Sequence, residues 1–299
     1  MTDAVNGVEI EDTYAEAFRM WGARVVITAA SRPWAREAAA KMTGFATSVI
    51  QCRCEGALER SLRRTPDGRP GVSVLLFAFS RDALAAELAD RIGQCVLTCP
   101  TTACYNGLDA GERVRVGGQL RFFGDGHQAS KLIAGRRYWR IPVMEGEFLV
   151  EDAFGVQPAV AGGNLLILGE DPERALRAAE LAAGAMRRVP SVILPFPGGI
   201  VRSGSKVGSR YKFMKASTND AFCPTLRGVV DSSLPEGVHC VYEIVVDGLD
   251  APAVEEAMRR GIRAACIPGI RRISAGNYGG SLGKFRFHLR EILGKGASG

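Results

Sequence analysis

A carboxylate inside an apolar strand needs a reason, and CVYEIVVDGL (240–249) places one at Glu243. Either the side chain faces solvent, or it is a desolvated acid whose pKa is raised toward neutrality, the state suited to proton transfer. The matching stretch earlier in the chain has Phe77 at the equivalent position, so an acid there is not a requirement of the fold. A second candidate is GGIVRSGSKVGS (198–209). From Gly199 it reads glycine, four residues, Gly204, then Ser205 and Lys206, whereas a nucleotide-binding loop has lysine first and a hydroxyl second. Prolines close the preceding strand and no helical pattern comes after it, so a nucleotide loop is excluded. What remains is backbone donors around Gly198, Gly199 and Gly204, hydroxyls at Ser203 and Ser205, and the cations Arg202, Lys206 and Arg210. Such a loop can hold an acidic group or a developing oxyanion, or be only a flexible basic turn.

STNDAFCPT (217–225) gathers Ser217, Asn219 and Asp220 beside Phe222 and Pro224. It reads as site lining or as a pair of turns through Asn219 and Asp220. FFGDGHQ (122–128) and SAGNYGGSLG (274–283) are glycine-rich turns that each carry an aromatic and a polar group.

The elements that must position these residues come from an internal repeat. IEDTYAEAF (10–18) is echoed by VEDAFGV (150–156), VVIT (25–28) by LLIL (165–168), and SVIQCRCEGA (48–57) by SVILPFPGGI (191–200). GVSVLLFAFSRDALAAELADRI (71–92) is echoed by GVHCVYEIVVDGLDAPAVEEAMRRGI (237–262). Each half reads strand, helix, strand, strand, helix, with a terminal strand near QCVLTC or IRRISAG. That order predicts an α+β fold of two similar ferredoxin-like (split βαβ) lobes, antiparallel sheets covered by helices, with lobes at 1–144 and 145–299. Ser31 and Asp171 are the expected caps, and Pro33 and Pro172 suit first helical turns. The second half is longer by a stretch at about 198–236 with little periodicity, and a long irregular segment in a compact domain is more often functional than incidental.

With 46% hydrophobic and 23% charged residues, the 299-residue chain can bury a large core. No apolar run is long enough to cross a bilayer, and MTDAVNGVEIED lacks the basic end and apolar stretch of a signal peptide, so a cytoplasmic protein is expected. The eight cysteines lack paired CxxC knuckles and the three histidines are isolated, so reduced thiols are expected and zinc is not. The net charge of +6 suits an acidic small molecule better than nucleic acid, because no DNA-binding pattern appears and the lobes lack the aromatic pairs that RNA-binding sheets use for stacking.

Long stretches, among them TPDGRPGVSVL, PVMEGEFLVED, PFPGGIVRSGSKVGS, ASTNDAFCPT, VYEIVVDGL and RRISAGNYGG, resemble formylmethanofuran:tetrahydromethanopterin N-formyltransferases over essentially the whole chain. CVLTCPTTA and GRRYWRIPVMEGEFL are similar to the bacterial branch, the formyltransferase subunit of the formyltransferase/hydrolase complex of methylotrophs. The resemblance implies transfer of a formyl group between tetrahydromethanopterin and the amine of a methanofuran-type carrier, both as co-substrates, with no metal or prosthetic group. It implies a homotetramer or a subunit of the hydrolase complex, with clefts at subunit contacts. It places Glu243 at the position of the family's proposed catalytic glutamate. Gly198, Gly199, Ser203, Ser205, Lys206, Ser217, Asn219 and Asp220 are the expected substrate-binding set. The rival reading is a catalytically silent assembly or carrier-binding subunit of the same complex.

Overall fold

The computed structural model describes residues 3–281 and 283–294. Leu282 of the 274–283 turn lies outside the described residues. Contacts group the chain into two compact units, residues 1–19 with 160–299, and residues 20–159. The chain changes unit inside the strands Tyr14–Thr28 and Phe154–Gly169, so residues 1–19 group with the C-terminal part and 145–159 with the N-terminal part, unlike a division at 144/145. The architecture is mixed α+β.

In the unit of residues 20–159, the strand residues 21–28 lie between Gly71–Ala78 and Ala103–Asn106, and Glu55–Leu62 flanks Gly71–Ala78, all antiparallel. Beyond Ala103–Asn106 the sheet continues through Gly146–Glu151, Arg136–Val143 and Ala129–Ile133. The helices Arg32–Met42 and Arg81–Arg91 supply Ala35, Ala38, Met42, Leu84 and Leu88 to one buried cluster with Val25, Ile27, Val74 and Leu76.

Two local expectations fail in this unit. SVIQCRCEGA is not one strand: Val49–Cys52 forms a helical turn closed by Gln51 and Cys52 N–H donating to Ser48 C=O, Arg53 takes φ 61°, and the strand begins at Glu55. QCVLTC is not the terminal strand either. The helix runs on through Ile92–Val96 in wider π turns, with Leu97 N–H donating to Ile92 C=O, and the strand begins at Ala103. Both are apolar runs whose strand-like composition is overridden by the helix cores they pack on. The eight cysteines are free, and no helix among the described residues is long and apolar enough to cross a membrane.

The unit that holds Glu243 has the strand order Val8–Ile10, Ile270–Ser274, residues 160–169, Cys240–Gly248, Val192–Ile193, with only the first pair parallel. Helices Pro172–Met186 and Ala251–Ala265 cover one face. Asp171 caps the first by accepting from Arg174 N–H at 2.8 Å, and Asp250 caps the second by accepting from Ala253 N–H at 2.8 Å. Ser31 has a cap's extended backbone but its side chain makes no capping bond. In Ala251–Ala265 the buried stripe Val254, Ala257, Met258, Gly261, Ile262 and Ala265 follows helical spacing, and each large side chain in it contributes about 1.5–3 kcal/mol by leaving water. At Gly261 an added Cβ would come within 2.7 Å of Met186 Sδ, so glycine permits the close approach of the two helices.

Strand alternation divides this sheet into two chemistries. Leu165, Ile167, Ile244 and Val246 point to the helices. Leu166, Leu168 and Val241 point to the other face, where Leu234, Val238 and Phe222 of the long irregular segment cover them. The strand is therefore apolar on both faces, and Glu243 projects on the face without helices, beneath the segment after Pro197.

Candidate active site

Register fixes the carboxylate. Ser274, Leu166 and Glu243 lie in one row across three strands, and Val201 closes the row through a bridge in which Val201 N–H donates to Glu243 C=O at 2.7 Å and Glu243 N–H donates to Val201 C=O at 3.0 Å. Asn164 is one pleat away on the same face, opposite Val245, the diagonal position from which a side chain reaches Glu243. The bridge also brings Ser205, four residues beyond Val201, over the carboxyl.

Glu243 is 2% exposed. Its Oε1 accepts two hydrogen bonds of 2.6 Å, from Asn164 Nδ2 and from Ser205 Oγ. Its Oε2 is buried with no hydrogen-bond partner among the described residues. Burial pushes the carboxyl above its ordinary value, and the Ser205 and Asn164 donors oppose that without cancelling it. The Asn164 amide is oriented in turn by Gly276 N–H, which donates to Oδ1 at 2.9 Å. An added Cβ on Gly276 would stand 2.7 Å from Asn164 Nδ2, so that contact needs glycine.

A cavity of about 340 Å³ opens beside the carboxyl. Glu243, Asn164, Ser205, Lys206, Asn219 and Asp220 line it together with Glu11, Thr13, Ser274 and the 275–278 segment. Lys206 Nζ pairs with Asp220 Oδ1 at 2.6 Å, and the ammonium holds the Asp220 carboxyl below its usual range. An ammonium carries three donors, so this pair leaves two for a ligand. The Ser205 hydroxyl has a single proton, and Glu243 takes it.

The remaining members of the expected set shape the loop and do not line the cavity. Gly198 and Gly199 turn the chain at φ 62° and 79°. Ser203 C=O accepts from Asn219 N–H at 3.0 Å, tying the two polar stretches together, and Ser217 Oγ donates to Gly208 C=O at 2.7 Å beside the strand pair Lys206–Val207 and Ala216–Ser217. Gly204, at φ +73°, has Asn219 Cβ 2.5 Å from where its own Cβ would be. Gly204→Ala should therefore cost about 2–4 kcal/mol, read as a lower melting temperature, and raise KM several-fold by displacing Asn219.

Sequence reading did not anticipate Asn164, Glu11 or Thr13 at this site, while Ser274 enters it from the SAGNYGGSLG stretch. A larger cavity of about 740 Å³ in the unit of residues 20–159 is walled mainly by apolar groups such as Leu97, Phe123 and Met144, and does not collect polar groups in this way. No group of three or more potential metal ligands occurs among the described residues. The site thus combines one desolvated carboxyl with a buried oxygen that no described group partners, and an ammonium beside it in a polar cavity, a set suited to moving a proton while an oxyanion forms.

The family model described as formylmethanofuran-tetrahydromethanopterin formyltransferase matches residues 4–143, and the model of its proximal lobe matches residues 146–292. The formylmethanofuran–tetrahydromethanopterin formyltransferase of Methylococcus capsulatus is 59% identical over 97% of this chain and 99% of its own. A subunit of the formyltransferase/hydrolase complex of Methylorubrum extorquens is 50% identical over 98% of both chains. Among solved structures, the formyltransferase of Methanosarcina barkeri superposes with a TM-score of 0.92 at 51% identity, covering 97% of this chain and 99% of that one. The Methylorubrum complex, solved with methylofuran, gives 0.94 at 50% identity, covering 97% and 98%. This chain belongs to the formylmethanofuran–tetrahydromethanopterin formyltransferase family.

Proposed function

We propose that this chain, an N-formyltransferase of one-carbon metabolism, moves a formyl group between tetrahydromethanopterin and the amine of a methanofuran-type carrier with Glu243 as the proton relay. The carrying observation is the Glu243 carboxyl at the cavity wall, with Oε1 held by two donors and Oε2 unpartnered. The carrier amine attacks the formyl carbon and a C–N bond forms. The carbonyl oxygen becomes an oxyanion, met by donors of the cavity such as the free N–H groups of Lys206. Glu243 Oε2 takes the proton from the attacking nitrogen and delivers it to the departing pterin nitrogen as the second C–N bond breaks. Asn219 and Asp220 act with Ser205 and Lys206 on the substrate, while Gly198, Gly199, Ser203 and Ser217 give the loop its shape.

The reading extends to organisation. Each unit places its fourth core strand beside its first, then the third, then the second, an order that supports ferredoxin-like lobes, and the repeat supports two related sequence halves meeting at 144/145. We place the protein in the cytoplasm, as a homotetramer or as the transferase subunit of a formyltransferase/hydrolase complex.

Purified chain supplied with formyl-tetrahydromethanopterin and the furan carrier should turn over, followed spectroscopically. A protein that binds a carrier and transfers nothing is the silent assembly subunit. The pH profile is a further test. The working form is the carboxylate and burial raises its pKa, so kcat/KM should fall on acidification at a higher pH than for an exposed glutamate, and a limb in the ordinary carboxylate range refutes the relay.

A further inference from the structure

We propose that Tyr278 is a positioning residue for the transfer reaction: its phenol clasps the glycine loop on both sides of Lys206 and so aims the Ser205 hydroxyl at Glu243. This rests on Glu243 being the relay.

Tyr278 Oη donates to Ser205 C=O at 3.1 Å and accepts from Val207 N–H at 3.0 Å. One oxygen therefore fixes the backbone immediately before and immediately after Lys206. Between those anchor points the loop sends Ser205 Oγ to Glu243 Oε1 and Lys206 Nζ to Asp220. The loop's other ties join it to the 215–219 stretch, by the pairing of Lys206–Val207 with Ala216–Ser217 and by Gly208 N–H donating to Lys215 C=O, whereas Tyr278 Oη holds it from the 274–283 turn.

The clasp is itself held. Glu16, 2% exposed between Ala15 and Ala17, accepts from Tyr278 N–H at 2.8 Å and Gly280 N–H at 3.1 Å through Oε2, and from Gly283 N–H through Oε1. Gly279 and Gly280 adopt φ of 67° and 77°, which curl these amides onto one carboxylate. At Gly283 a Cβ would lie 2.3 Å from Ala17 C=O, so the loop lies directly on the strand. The glycine-rich segments around 204 and 279 thus become one device, with Glu16 fixing the second and Tyr278 transmitting that position to the first.

Loss of the phenol oxygen frees Ser205 to turn away from Glu243. A carboxylate that loses a donor ionises less readily, so the acid limb moves up. The other titratable groups lining the cavity are Glu11, Lys206 and Asp220, and a phenol-to-phenyl change removes none of them.

The test compares Tyr278→Phe, Ser205→Ala, the double variant and Glu243→Gln with the full chain, measuring kcat, KM, the pH profile and melting temperature. Tyr278→Phe should lower kcat about tenfold with KM within about twofold, and shift the acid limb upward. Ser205→Ala should shift it in the same direction, and the double variant should be no slower than Ser205→Ala, because both changes remove one interaction. A wild-type acid limb in Tyr278→Phe or in Ser205→Ala, or losses that multiply in the double variant, overturns the clasp. So does loss of an alkaline limb in Tyr278→Phe, which makes the phenol a proton donor in its own right. Normal turnover by Glu243→Gln identifies a failure of the relay, whereas an inactive Glu243→Gln beside an unshifted Tyr278→Phe identifies a failure of the clasp alone.

Discussion

Glu243→Gln should lower formyl transfer at least about a hundredfold while leaving fold and assembly intact. Glutamine keeps an oxygen to accept from Asn164 Nδ2 and Ser205 Oγ, so the contacts around Oε1 survive. What it lacks is the free oxygen that takes up and returns a proton. The same substitution carries a stability signature of definite sign. Burial raises the folded-state pKa of Glu243, so its contribution to stability is complete below the ordinary carboxylate value and is lost as pH rises through the raised one. Above that raised pKa the wild type holds an ionised carboxylate in a desolvated place, and the uncharged variant does not. On the alkaline side of that raised pKa the variant should therefore melt no lower than wild type, by up to a few degrees higher, with the difference closing as pH falls toward the ordinary carboxylate range. Calorimetry and single-turnover transfer on the same preparation check both halves. A folded variant with near-normal turnover, or one whose melting temperature relative to wild type falls as pH rises, is incompatible with this assignment.

Glu243 stands out in the sequence because a charged residue breaks an apolar run and its counterpart Phe77 shows that the run does not need it. The same logic locates Ser205, Lys206, Asn219 and Asp220, since polar residues concentrated in an insertion have no structural duty in the shorter half. Contiguity misleads for their neighbours. Gly198, Gly199 and Ser203 share one short stretch with Ser205, but Gly204 takes φ 73°, and of that stretch only Ser205 and Lys206, beyond it, line the cavity.

Asn164 and Glu16 escape notice for a different reason. In AGGNLLILG the apolar strand reads from Leu165, which leaves Asn164 at its edge as an ordinary polar residue, although an amide directly ahead of a two-sided apolar strand is a usable signal. In YAEAF, Glu16 alternates with alanines as a solvent-facing residue would. Its burial is decided by backbone N–H groups at Tyr278, Gly280 and Gly283, which no pattern near position 16 encodes. The helices are legible wherever caps and periodicity agree, as at Pro172–Met186 and Ala251–Ala265. Errors fall on short apolar runs such as VIQC and QCVL, whose composition suits a strand and whose neighbours impose a turn of helix.

Asn164→Asp should be more damaging than Asn164→Ala, although aspartate matches the native side chain in size. The introduced carboxylate retains an oxygen to accept from Gly276 N–H, so the 274–278 segment stays in place and its second oxygen lies where Nδ2 stood, 2.6 Å from Glu243 Oε1. Two carboxylates at that separation in a desolvated site cannot both ionise, and one proton is retained between them up to a higher pH. Glu243 then loses a donor and gains a like charge, and the form that accepts the amine proton becomes scarce near neutrality. Turnover at pH 7.5 should fall about a hundredfold, with activity recovering as pH is raised because the acid limb has moved up. Asn164→Ala removes one donor without adding a charge, and should cost about tenfold with a smaller limb shift in the same direction. The ordering of the two variants is the informative result: a relay working through the free oxygen of Glu243 requires the isosteric change to be worse and to be rescued by base. An Asn164→Asp enzyme with a wild-type acid limb places the proton transfer on some other group.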